Sequence, residues 1–176
     1  MNRLDDPFNE YAGRIGIERR GSTSQLLFPK HSFSIELRDF TGEDRPEPLF
    51  GFPKESDWVL VSLYNDKSLI RDALAYTLAG RVMTYAPRCL FVELVLNGNY
   101  EGVYLFTERI KRDPNRVTVS KNKPDEDLTG GYILKLDKEA GDSVVGLWYS
   151  HVAPLHTPAS STIRFFYHYP RTEGLT

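Results

Sequence analysis

The chain has 176 residues, with 22 lysines and arginines against 24 acidic residues and a formal net charge of -2, a balance that argues against a non-specific nucleic-acid binder, which would be basic. Hydrophobic residues make up 40%, including 10 Phe, 10 Tyr and 2 Trp; that is enough to bury the core of one domain, or of a piece of a larger one, and it excludes global disorder. The single cysteine, Cys89, excludes an internal disulfide framework and a cysteine-based zinc site and reads as a buried structural thiol.

No run approaches the roughly 18 apolar residues that span a bilayer. The first residues, MNRLDDPFNEYAGRIGIERR, contain no signal-peptide hydrophobic region. Taken alone this suggests a soluble intracellular chain, although a chain trimmed of a leader would read the same way. Residues 1–17 are taken as a leading segment and 18–176 as one functional portion.

Residues 13–18 alternate, with Ile15 and Ile17 against Arg14, Gly16 and Glu18, as a half-buried strand does. Residues 19–25 read as a polar turn. Ser32 to Arg38 alternates again, with Phe33, Ile35 and Leu37 on one face, and predicts a second strand antiparallel to the first. Asp39 to Pro53 holds three prolines and two glycines and reads as a loop. The run from Trp58 to Tyr64 is either a short strand or a buried approach to a helix.

Asn65-Asp66 is a good helix start, and Lys67 to Met83 has helical periodicity with a broad apolar face of Leu69, Ile70, Ala73, Leu74, Tyr76, Thr77, Leu78 and Val82. Leu90 to Leu96 and Tyr100 to Glu108 flank Asn97-Gly98, the strongest short-range hairpin signal. Residues 109–127 form a charged connection with a short strand at 116–119. Residues 130–137 and 163–169 predict two further strands. The order is that of an α+β fold, an antiparallel sheet with a helix packed against it.

The chemistry concentrates near the first turn. Arg20-Gly21-Ser22-Thr23-Ser24 joins a glycine turn to hydroxyls, and Lys30 enters the next strand. Such a turn presents backbone N–H groups and hydroxyls to phosphate oxygens, and a lysine or arginine adds charge. The plain alternatives are a solvated lysine at a strand start and an arginine paired with a surface acid. Glu108 is either a surface carboxylate neutralised by Arg109, Lys111 and Arg112 or a carboxylate that faces the pocket and orients Lys30. Asp137 either contacts a base or ribose or is an acidic turn residue. No G-x-x-x-x-G-K-[ST], H-E-x-x-H or G-x-S-x-G pattern occurs.

The segments RGSTSQ, FPKHSFSIEL, SDWVLVSLYNDKSLIRDALAYTLA, YAPRCLFVELVLNGNYEGVYLFTERIKRDPNRV and GGYILKLDK, in this order from Glu18 to about Lys138, resemble the spore-coat protein H (CotH) kinase family, a group of atypical protein kinases. The resemblance implies a kinase-like N-terminal lobe that binds ATP with Mg²⁺ or Mn²⁺ and phosphorylates Ser or Thr of protein substrates. It assigns Arg20, Ser22 and Ser24 to the phosphate-proximal turn, Lys30 to phosphate pairing, and Glu108 to the edge of the nucleotide cleft. The family's catalytic and metal-binding aspartates lie in a downstream D…N-x-D-R region, a motif this chain does not contain.

The expectation is therefore the N-terminal, nucleotide-binding portion of a CotH-like kinase, inactive by itself, with no catalytic or metal-binding residue that can be named. By family analogy it works at a spore surface or outside the cytoplasm. The alternative is a non-catalytic coat or surface module whose contact is the aromatic group Trp148, Tyr149, Phe165, Phe166, Tyr167 and Tyr169; exposed, those residues would drive self-association.

Overall fold

A computed structural model describes residues 11–121, 131–136, 147–150 and 163–170. Two units divide the chain, Met1–Ile110 and Lys111–Thr176.

In the first unit, strands β1 (Arg14–Arg20), β2 (Ser32–Arg38), β3 (Asp57–Val61), β4 (Cys89–Leu96) and β5 (Asn99–Glu108) form one sheet in the order β1-β2-β3-β5-β4. Every pairing is antiparallel. The β4–β5 hairpin closes on Asn97 (φ 52) and Gly98 (φ 83), two consecutive left-handed residues whose twist suits the flanking strands. Near its tip the register shifts between Leu94 and Val95, opposite Gly102 (φ 85), so Glu101 is an extra residue in β5.

Side chains alternate across the sheet, and its two faces differ in what covers them. On one face Phe33, Leu37, Trp58, Leu60, Tyr104 and Phe106 are buried together. The segment between β2 and β3, read from sequence only as a loop, closes over this face. Leu49 is buried there, Phe52 lies against Trp58 and Phe106, and Phe50 meets Phe106 edge-on at 5.2 Å. Bridges at Arg38–Asp44 and Glu47–Glu55 hold its two ends. Without regular structure of its own, the segment does the work of a second layer.

The opposite face carries Val59, Leu105 and Thr107, all buried. Helix α2 (Arg71–Val82) is associated with this side, where Tyr76 is near Cys89 and Arg20. The helix differs from its expected form in two ways. It starts four residues later, because Leu69 has φ 61 and breaks the helical run. Asp66 instead fastens the approach: its carboxylate accepts from the Ser68 N–H at 3.0 Å, the Ser68 hydroxyl at 2.6 Å and the Arg71 N–H at 2.9 Å.

The broad apolar face of α2 is also not a core face. No α2 residue is buried; Ala73, Tyr76 and Ala79, three apart, form the better covered row, whereas Leu74 and Leu78 remain about half exposed. The supposed polar turn after β1 contains a short helix, α1 (Thr23–Leu27), with Leu26 and Leu27 exposed.

The second unit contains β6 (Ile133–Lys135), β7 (Leu147–Tyr149) and β8 (Arg164–Tyr169), antiparallel in the order β6-β8-β7. The strand expected at 116–119 is reduced to a bridge between Arg112 and Val117. Phe166 is buried and Tyr149 exposed, so these aromatics do not present one uniform surface. No helix among the described residues is long and apolar enough to cross a membrane.

Candidate functional site

Lys30 precedes β2, and its ammonium reaches β5 rather than open solvent. Nζ donates to the Val103 carbonyl at 2.6 Å and stands 4.2 Å from the centre of the Tyr104 ring. A Cβ placed on Gly102 would lie 3.6 Å from the same nitrogen, so the lysine rests on the bulged part of β5. Burial pushes its pKa down, and Glu101 opposes that shift. Lys30 is thus a cation held against the sheet at the end of the aromatic core.

Arg20 lies elsewhere. It pairs in register with Ser32, and alternation puts its side chain on the face of Ser34, Val59 and Thr107, opposite the one bearing Tyr104. Arg20 is exposed; partial desolvation lowers its pKa, the charge of Arg109 adds to the shift, and Tyr76 opposes it. No carboxylate pairs with Arg20 among the described residues. Arg20 and Lys30, close in sequence, are not brought together.

Ser22 and Ser24 are exposed at the start of α1. Gly21 (φ 105) makes the turn out of β1 possible, and a Cβ there would run into Ser24 Oγ. Gln25 Nε2 donates to the Gly21 carbonyl at 2.5 Å and closes the turn.

Glu108 does not orient Lys30. Its side chain is 1% exposed, with Oε1 2.6 Å from Arg88 Nη2 and Oε2 accepting from the Arg88 N–H at 2.9 Å. Tyr85 adds a longer contact at 3.4 Å. Beside the basic run that follows it, Glu108 is neutralised by Arg88, the residue just before β4 and twenty positions earlier. Antiparallel pairing decides this, because it sets the beginning of β4 beside the end of β5. Asp137 lies outside the described residues.

Arg109 and Tyr76 also stand on the helix-bearing side of the sheet. Arg109 Nη1 is 3.1 Å from Asp57 Oδ1, which places it on the same face as Arg20. Tyr76 is half-buried on α2; burial raises its pKa, Asp72 and Cys89 add to the shift, and the charge of Arg20 opposes it.

These features define an α+β protein built on an antiparallel five-stranded sheet, with Arg20 and Arg109 on its helix-bearing face at opposite ends of β3. The family model described as CotH kinase protein matches residues 17–153, and the chain belongs to the CotH kinase family. No curated protein and no solved structure matches it.

Proposed function

We propose that this chain is the nucleotide-binding portion of a CotH-like protein kinase, a kinase-like lobe that holds ATP through its phosphates for transfer to Ser or Thr of a protein substrate. The observation that carries the reading, beside family membership, is Arg20: a guanidinium at the end of β1, next to the exposed hydroxyls of Ser22 and Ser24, with no acid paired to it among the described residues. Guanidinium and hydroxyl groups are the donors that phosphate oxygens accept.

The fit to ATP stops at its phosphates. Bound ATP would supply the transferable phosphoryl group, while Arg20 would orient and neutralise it. The fit to Mg²⁺ or Mn²⁺ fails within the described residues, which contain no group of three or more His, Cys, Asp or Glu suited to hold a cation.

Titration calorimetry with ATP tests the reading. Binding by the chain, weakened at least tenfold in Arg20→Gln, supports it. Absence of ATP binding by the folded protein refutes it and favours a coat or surface module. Labelled-ATP transfer to a Ser-rich protein, assayed with Mg²⁺ or Mn²⁺, tests activity in a parent chain that also carries the D…N-x-D-R region.

A further inference from the structure

We propose that the outer edge of β4 is a docking strand: it binds an extended segment of a partner protein, antiparallel, as an added strand of the five-stranded sheet. The segment carries a lysine or arginine flanked, two residues away on each side, by apolar residues. The inference is independent of the nucleotide reading.

The two edges of the sheet differ. In the order β1-β2-β3-β5-β4, β1 and β4 are the outer strands. β1 carries Arg14, Glu18, Arg19 and Arg20 among its seven residues, and charge at that density keeps other strands away. β4 has one charged residue, Glu93, and no proline. Within it Phe91 and Val95 stay 44% and 60% exposed. An edge of this length and composition is a template for strand addition.

The ladder decides which backbone groups face outward. The Glu108 N–H donates to the Arg88 carbonyl, so these two residues form a hydrogen-bonded pair, and such pairs recur at every second residue. Leu90, Val92 and Leu94 therefore turn N–H and C=O toward β5, opposite Phe106, Tyr104 and Gly102. Those of Cys89, Phe91, Glu93 and Val95 turn to the outer edge, where no strand pairs with them among the described residues. The side chains of these four residues share the helix-bearing face, and partner residues directly opposite them fall on that face too.

Charge selects the occupant. Glu93 Oε1 accepts from the Tyr100 hydroxyl at 2.8 Å, which fixes the carboxylate on this face. No cation pairs with it among the described residues. Asp72 on α2 adds negative charge near Cys89, at the start of the strand. Opposite charges facing each other across strands stabilise a pair, and like charges destabilise it. The residue opposite Glu93 is thus basic, and those opposite Phe91 and Val95 are apolar. A second copy fits less well. Two β4 strands paired along their length about an axis through Val92 bring their Glu93 side chains to diagonal positions, about 7–8 Å apart. An axis through Glu93 sets the two carboxylates directly opposite.

Calorimetry with the synthetic peptide Ser-Ile-Thr-Lys-Thr-Ile-Ser, and with the same peptide carrying Glu for Lys, tests the proposal on the chain and on Glu93→Lys, with circular dichroism confirming folding. The lysine peptide is expected to bind the chain at least tenfold more tightly than the glutamate peptide, and Glu93→Lys to reverse that order. Methylating the amide nitrogens of the Lys and both Ile residues, whose N–H groups face β4, is expected to abolish binding; methylating those of the two Thr residues should change it less than threefold. Lack of binding by the folded chain, equal affinity for the two peptides, or binding that survives methylation at Ile and Lys overturns the inference. In sedimentation of the chain alone, a dimer that the lysine peptide fails to dissociate assigns the edge to a second copy and overturns it as well.

Discussion

The ammonium of Lys30 and the carbonyl of Val103 are 2.6 Å apart, joining residues 73 positions apart in sequence. The bond fastens the connection ahead of β2 to β5, across the strand β3 that separates β2 from β5 in the sheet. The Tyr104 ring beneath the nitrogen adds a cation–π contact.

Lys30→Met is accordingly expected to destabilise the chain by about 2–4 kcal/mol, the sum of one hydrogen bond from a charged donor and a cation–π contact. Urea denaturation measures it. A change under about 0.5 kcal/mol, the usual range of a surface substitution, would show that the strap contributes nothing.

Glu108 and Arg88 provide a second comparison. Glu108→Gln removes the charge from a buried group bonded to both the backbone and side chain of Arg88; the expected cost is about 1–3 kcal/mol. Glu93→Gln, at an exposed position on the same hairpin, should stay within about 0.5 kcal/mol. Equal midpoints of the two variants in chemical denaturation would contradict this account of the buried pair.

Asp66 makes stability depend on acid. Hydrogen bonds from Ser68, followed by that from the Arg71 N–H, hold its pKa below the ordinary 3.8. A carboxylate with a depressed folded pKa contributes stability that is complete above the unfolded value and is lost as pH falls through the folded one. The expected result is a decline in thermal midpoint beginning near pH 4 and continuing below it, with a shallower slope in Asp66→Asn. Parallel slopes in the two proteins would assign the acid sensitivity to other groups.

Gly98→Ala isolates a backbone effect. A Cβ at Gly98 meets nothing within 4 Å, so its cost comes from φ 83 and not from collision. A loss of about 1 kcal/mol is expected in denaturant melts. A gain in stability would mean that the turn relaxes to a conformation alanine prefers.

Tyr104 separates ring from hydroxyl. The residue is fully buried, its ring lies under Lys30, and its hydroxyl has no bonded partner among the described residues. Tyr104→Phe is expected to stay within about 1 kcal/mol of the parent, whereas Tyr104→Ala should cost about 3–5 kcal/mol through loss of the ring. Thermal denaturation of both tests the separation, and a large loss in Tyr104→Phe would contradict it.

Local sequence by itself determined the strands and the hairpin. Alternation in Ser32–Arg38 and the Asn97-Gly98 pair act over a few residues, through side-chain period and left-handed backbone, and both are as expected. The ordered segments also led to the family that the match over residues 17–153 shows. Tertiary structure alone decided which charged groups meet. Pairing the start of β4 with the end of β5 gave Glu108 to Arg88; the bulge beside Gly102 received Lys30; and alternation across the sheet set Arg20 on the face opposite Tyr104. It also left Leu74 and Leu78 half exposed on a helix whose periodicity suggested burial, because periodicity defines a face but not what covers it. Contacts between residues far apart depend on strand order and register, and neither quantity is contained in any short stretch of the chain.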